Sequence, residues 1–106
     1  MDDVDVKQYR QIKREIFELE RLPRPKDKAE QKRAATRLAA LRKQLVEIEN
    51  AIDALEDPDE RTVMRLRYIQ GLRWEAIAMR MYYGRTTVFR IANRAEEHLA
   101  QKGKKR

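Results

Sequence analysis

Ala34, Leu38, Leu41, Leu45, Ile48, Ile52 and Leu55 recur at spacings of 4, 3, 4, 3, 4 and 3 residues. Apolar residues in that alternation line one stripe of an α-helix, because a turn takes 3.6 residues and positions three and four apart share a face. A strand cannot use the pattern, since its side chains change face at every residue. Three heptads of it suggest a coiled-coil seam, flanked by charged residues such as Arg42 and Glu49. Asp27 is placed to cap this helix, with Glu30 three residues on closing a capping box.

A shorter helix precedes it. Tyr9, Ile12, Ile16 and Leu19 are spaced 3, 4 and 3 apart, and Val6, Phe17 and Leu22 broaden or extend their stripe. Pro23-Arg24-Pro25 stops the helix, because proline has no amide donor and forces the residue before it out of the helical region. So short a connection implies that residues 1–56 form an antiparallel, coiled-coil-like hairpin. The second helix has more apolar stripe than the first can cover. The simplest cover is a second copy, which makes Leu38, Leu41, Leu45, Ile48 and Ile52 the expected seam of a homodimer or higher homo-oligomer. The alternative is that the C-terminal half of the same chain covers it.

Composition removes several other classes. With three Gly and three Pro in 106 residues, the chain lacks the regular turn signals of an all-β protein. The absence of Cys excludes disulfide scaffolds, zinc fingers and thiol chemistry. No apolar run approaches the roughly 20 residues of a membrane span, and Met-Asp-Asp-Val-Asp does not read as a signal-peptide start. The net charge of +7 is unevenly placed. Residues 1–56 hold 13 Lys/Arg against 12 Asp/Glu, whereas residues 57–106 hold 12 against 6. The first half is therefore expected to present a balanced helical surface, and the second to meet a polyanion.

Asp57-Pro58-Asp59-Glu60 reads as a helix start, with an Asp cap, Pro at the first position and Glu at the third. Val63, Leu66 and Ile69 give that helix one buried face, and Gly71 ends it. A short helix follows over about Trp74 to Met81, burying Ile77, Ala78 and Met81, and Tyr82-Tyr83-Gly84 breaks it. A last helix begins near Arg85 or Thr86, with Val88, Ile91, Ala92, Ala95 and Leu99 at core spacing. The whole is expected to be all-α, with a helix-turn-helix over residues 57–101 and a basic tail at 102–106.

The run Arg65-Leu66-Arg67-Tyr68-Ile69-Gln70-Gly71-Leu72, then Trp74-Glu75-Ala76-Ile77-Ala78, then Arg85-Thr86-Thr87-Val88 resembles the fourth conserved region of bacterial sigma factors. The pattern there is roughly LRYxxGLSYEEIAxxLGxSRxTV, and the spacing matches without gaps from Leu66 to Leu99. The full chain is similar to small phage and prophage proteins of unassigned function that join a helical hairpin to such a helix-turn-helix. Phage late-gene transcriptional regulators share that plan. The resemblance implies a sequence-specific, double-stranded DNA-binding transcriptional regulator in the cytoplasm of a bacterial host cell. Two other roles fit the same plan. One is a small terminase-like subunit for DNA packaging, and the other is a sigma-like adaptor that docks on RNA polymerase. Tyr82 stands where the family usually has Gly, and the turn is expected to be rebuilt with Gly84 absorbing the strain. Arg73 replaces the usual Ser or Thr cap, leaving that helix end to be capped by a phosphate.

With Val88, Ile91, Ala92 and Ala95 turned inward, the opposite face of the last helix holds Arg85, Thr86, Phe89, Arg90 and Asn93. These are the candidate base contacts: Arg can read guanine bidentately, Asn can read adenine, and Thr and Phe can meet a thymine methyl. Arg73, Arg80 and Arg94 are candidate phosphate contacts, joined by Lys102, Lys104 and Lys105 of the tail. Trp74 is assigned to packing between helices. His98, the single histidine, has no Cys or acidic residues at ligand spacing, so neither a metal nor a cofactor is expected. No glycine-rich phosphate loop and no nucleophile–base spacing points to an enzyme.

Overall fold

The computed structural model describes residues 5–104, with side chains as far as Gln101. Among the described residues run five α-helices and no strand: α1 (Tyr9–Arg21), α2 (Lys28–Asp53), α3 (Pro58–Met64), α4 (Trp74–Met81) and α5 (Arg85–Lys104). A 3-10 turn, Val6–Gln8, leads into α1, and a π-helical stretch, Arg65–Ile69, continues α3.

The boundaries follow from local chemistry. Asp27 caps α2 by accepting from the Ala29 amide at 3.0 Å, and Asp57 caps α3 by accepting from the Asp59 amide at 2.8 Å. Each satisfies an amide that has no partner inside the helix. Gly71 ends the π-helical stretch with a φ of +78°, while the Leu72 amide bonds back to the Leu66 carbonyl at 2.9 Å.

The turn after α4 departs from the sequence expectation. Tyr82 itself takes the left-handed conformation, with φ 60° and ψ 34°. The Tyr83 amide bonds the Ala78 carbonyl at 3.0 Å and the Tyr82 amide bonds the Met79 carbonyl at 3.3 Å, the two bonds of a Schellman motif. Gly84 does not absorb the strain. It opens α5, and its carbonyl accepts from the Val88 amide at 3.1 Å.

One continuous hydrophobic cluster runs from Val6, Tyr9, Ile12 and Ile16 through Leu41, Ile48, Ile52 and Leu55 to Val63, Ile77, Val88, Ile91 and Ala95. The residue 56/57 boundary is therefore a turn across a shared core. α1 packs along α2, with Tyr9 at the start of α1 bonded to Glu49 near the end of α2. α5 packs on α3 and α4. The Cα radius of gyration is 16.7 Å and the principal extents are 54 × 34 × 15 Å. A compact chain of this size would have a radius near ~13 Å, so the body is long and flat.

Two sets of expectations change here. Phe17 and Leu22 do not extend the core stripe of the first helix; they are 57% and 63% exposed. The expected oligomer seam is covered by its own chain. Leu41, Ile48 and Ile52 are buried to 1%, 3% and 0% exposure, and Leu38 and Leu45 pack half-buried against the same cluster. The stripe of α2 packs along α1 and, through Leu55 at its own end, joins Val63 of α3 in the same cluster.

Candidate nucleic-acid interface

α5 is fixed from one side. Val88, Ile91, Ala92 and Ala95 are buried against α3 and α4, while Arg85, Thr86, Phe89, Arg90 and Asn93 lie on the exposed part of the helix. The five candidate base contacts are thus brought together over the first turns of α5, at the end where free amides and the helix dipole favour an anion.

They are not equally free. Phe89 meets the Trp74 ring edge to face, with centroids 5.2 Å apart and planes at 71°. The Arg67 guanidinium sits 4.5 Å from the centre of the Trp74 ring, and the Arg85 guanidinium 5.7 Å from the centre of Phe89. Arg85 also lies 3.8 Å from Glu75 at the start of α4. Arg67, Trp74, Phe89 and Arg85 therefore form a ladder of two rings flanked by two cations across the α4–α5 junction. The sequence reading missed Arg67 and Glu75. Their partners are remote in sequence or on another helix, and no periodicity points to them. Thr86, Arg90 and Asn93 carry the freest polar groups of the face.

Of the candidate phosphate contacts, Arg73 and Arg80 are exposed at the two ends of α4. Arg73 is the N-cap residue, and its side chain makes no capping bond. Arg94 is exposed as well, but its guanidinium reaches toward α3, 3.6 Å from Asp57 and 3.6 Å from Glu60, so its charge is shared with two carboxylates of the domain. The side chains of Lys102 and Lys104, and all of Lys105, lie outside the described residues.

The turn preceding α5 is exposed and aromatic. Tyr82 is 94% exposed, and Met79, the last-turn residue of α4 that its amide bonds, is 78% exposed. Tyr83 folds back, its hydroxyl donating to Asp59 Oδ2 at 2.6 Å. That bond and the carboxylate charge raise the Tyr83 pKa from its ordinary value, because the carboxylate favours the protonated phenol. The two tyrosines of this turn therefore differ. The structure separates them, with Tyr83 tied to α3 and Tyr82 facing solvent.

No described helix is long and apolar enough to cross a membrane. A family model with the description "Protein of unknown function (DUF1492)" matches residues 21–100. No curated protein and no solved structure matches the chain.

Proposed function

The chain belongs to the DUF1492 family, and we propose that it is a sequence-specific, double-stranded DNA-binding transcriptional regulator of the phage type. In this reading α1 and α2 form an antiparallel hairpin, and α4, the Tyr82–Gly84 turn and α5 form a helix-turn-helix like that of sigma region 4. α5 enters the major groove, where Thr86, Arg90 and Asn93 read base edges and Arg85 and Phe89 flank them. Arg73 and Arg80 hold phosphates at the two ends of α4.

One observation carries the reading. The apolar side of α5 is buried to the level of Val88 at 0% and Ala95 at 0%, while its polar side, rich in Arg and Asn, stands free at the helix start. A helix held so firmly from behind can be placed against base edges with little motion, and the net positive charge of residues 57–106 supplies attraction to the duplex.

The test is selection of bound fragments from random double-stranded DNA, followed by sequencing. A recovered motif whose loss lowers affinity by 10³-fold or more, the ordinary order for a specific site, supports the reading. Recovery of unenriched sequence refutes sequence-specific regulation.

A further inference from the structure

α1 carries a face that the charge count of the N-terminal half conceals. Arg10, Lys13, Arg14, Phe17 and Arg21 lie at spacings of 3, 1, 3 and 4. At about 100° per residue this gathers them within an arc of roughly 100°, opposite the buried Ile12 and Ile16. All five are exposed, and no acidic residue falls inside the arc. The acids of α1 lie on its flanks. Glu15 accepts from Arg37 of α2 at 2.8 Å, and Glu20 pairs with Arg42 of α2. Glu18 stands at the margin beside Arg14. α2 thus neutralises two of the three negative charges of α1 and leaves the outward face cationic.

The face has shape as well as charge. Arg10, Lys13, Arg14 and Phe17 line an open depression, and the Arg21 guanidinium rests 5.2 Å from the Phe17 ring centre. It is also continuous with the α4 side of the molecule. Arg10 Nη1 donates to the Ile69 carbonyl at 3.3 Å, and its guanidinium covers Gly71 so closely that a Cβ there would lie 2.7 Å from Cζ. Gly71 is two residues before Arg73, the exposed residue at the start of α4.

From this juxtaposition we propose that the Arg10–Lys13–Arg14–Arg21 face of α1 is a second phosphate-binding surface, which tracks the backbone of the same duplex beyond the segment read by α5. The inference rests on the DNA-binding reading above and extends it. Charge complementarity and continuity through Arg10 select the occupant. The long dimension of 54 Å equals that of about 16 base pairs at ~3.4 Å each, so the molecule is long enough to follow DNA past one helical turn.

The test uses the full chain, wild type and Lys13→Gln/Arg14→Gln/Arg21→Gln. Arg10 is left in place because it is anchored at Gly71. Binding is titrated with salt on random duplexes of about 12 and about 30 base pairs, long enough for one helical turn and for nearly three. Each phosphate that is no longer neutralised changes the slope of log affinity against log salt by about 0.9. The triple variant is expected to flatten the slope by about 2–3 on the longer duplex and by little on the shorter. An unchanged slope on the longer duplex overturns the proposal while leaving DNA binding by α5 standing. If wild type binds neither duplex at low salt, the DNA-binding reading fails and takes this extension with it. Vesicles containing phosphatidylserine are the third arm: retention of wild type but not the variant, with equal duplex binding, overturns the proposal in favour of an anionic membrane. Far-ultraviolet circular dichroism of the variant should match wild type, since all three replaced residues are exposed.

Discussion

Glu60 of α3, 1% exposed, lies 2.8 Å from His98 Nδ1 of α5. Arg94, one turn earlier on α5, approaches the same carboxylate at 3.6 Å and Asp57 at 3.6 Å. A carboxylate so withdrawn from water needs such partners, because an unpaired buried charge costs several kcal/mol of desolvation. The cluster fixes α5 against α3, and so sets the height at which the face of α5 is presented.

Arg94→Ala should therefore act on stability. Removal of one half-exposed partner is expected to cost about 1 kcal/mol, and Glu60→Ala about 2 kcal/mol with its cavity. A chain of this size loses about 4–8 °C of melting temperature per kcal/mol. The check is a thermal melt beside a salt titration of DNA binding. An Arg94→Ala variant that melts like wild type but has a salt slope flatter by about 1 would restore Arg94 as a phosphate contact.

The direction of Arg94 marks the border of what the sequence could yield. Periodicity placed Val88, Ile91, Ala92 and Ala95 inward correctly, because four apolar positions define a face. Arg94 stands at the edge of that face, where periodicity has no vote. What decides its direction is Glu60, 34 positions away in number, whose place at the start of α3 reads in sequence as a capping residue. The caps at Asp27 and Asp57 were legible because their partners are two residues off. The basic face of α1 was hidden behind the balanced charge of its half, and its acids count for less only once Arg37 and Arg42 of α2 take up Glu15 and Glu20.

The covered stripe of α2 alters what a charge placed there should do. Leu41 is 1% exposed and Ile52 0% exposed within the single chain. Leu41→Asp or Ile52→Asp is expected to unfold the protein, with loss of helical circular dichroism, since the penalty of several kcal/mol is a large share of an ordinary domain's stability. Sedimentation of a folded monomer for either variant, from an oligomeric wild type, would return these residues to an intermolecular seam.

Tyr82 and Gly71 predict opposite signs. A tyrosine at φ 60° bears a cost that glycine does not, and its ring is 94% exposed, so its removal sacrifices little packing. Tyr82→Gly should raise stability by about 0.5–1 kcal/mol. Gly84→Ala should be nearly neutral, because nothing lies within 4 Å of a Cβ there. Gly71→Ala should destabilise, since the residue has a φ of +78°, where any side chain is strained, whereas the exposed Arg10 guanidinium over it can shift aside. Melting temperatures of the three variants check the order, and a destabilising Tyr82→Gly would mean that the ring makes an interaction worth more than its backbone strain.

The alkaline limb of stability should depend on Tyr9. Its hydroxyl donates to Glu49 at 2.6 Å, and burial followed by that bond pushes its pKa from 10.0 up to about 12. The protonated phenol is therefore favoured in the folded chain. Its contribution is complete below the unfolded value of 10.0 and is lost as pH rises through about 12. Denaturant unfolding between those limits should show stability falling with pH in wild type, and a weaker fall in Tyr9→Phe. Equal slopes would remove Tyr9 from the transition.

The recognition face should divide into residues that read and one that also packs. Arg90 and Asn93 are exposed, and alanine at exposed helix positions is well tolerated, so Arg90→Ala and Asn93→Ala should leave the melt within about 0.5 kcal/mol of wild type. Each should lower affinity for the selected site by about 1–3 kcal/mol, with a much smaller effect on random duplex. Phe89 differs, because it is 38% exposed and stacks edge to face on Trp74. Phe89→Ala should lower both stability and binding, the former by about 1–2 kcal/mol as the ring pair and its apolar burial disappear. Arg85 lies between these cases. It is shared between Glu75 at 3.8 Å and the Phe89 ring, so its transfer to a base must first break both interactions. Glu75→Gln should free it and strengthen duplex binding, an effect absent when the same change is made in an Arg85→Ala background if release of Arg85 is the cause. The paired thermal melts and competition titrations separate the cases. Equal reductions on specific and random duplex for both Arg90→Ala and Asn93→Ala would show that this face of α5 holds the backbone and does not read bases.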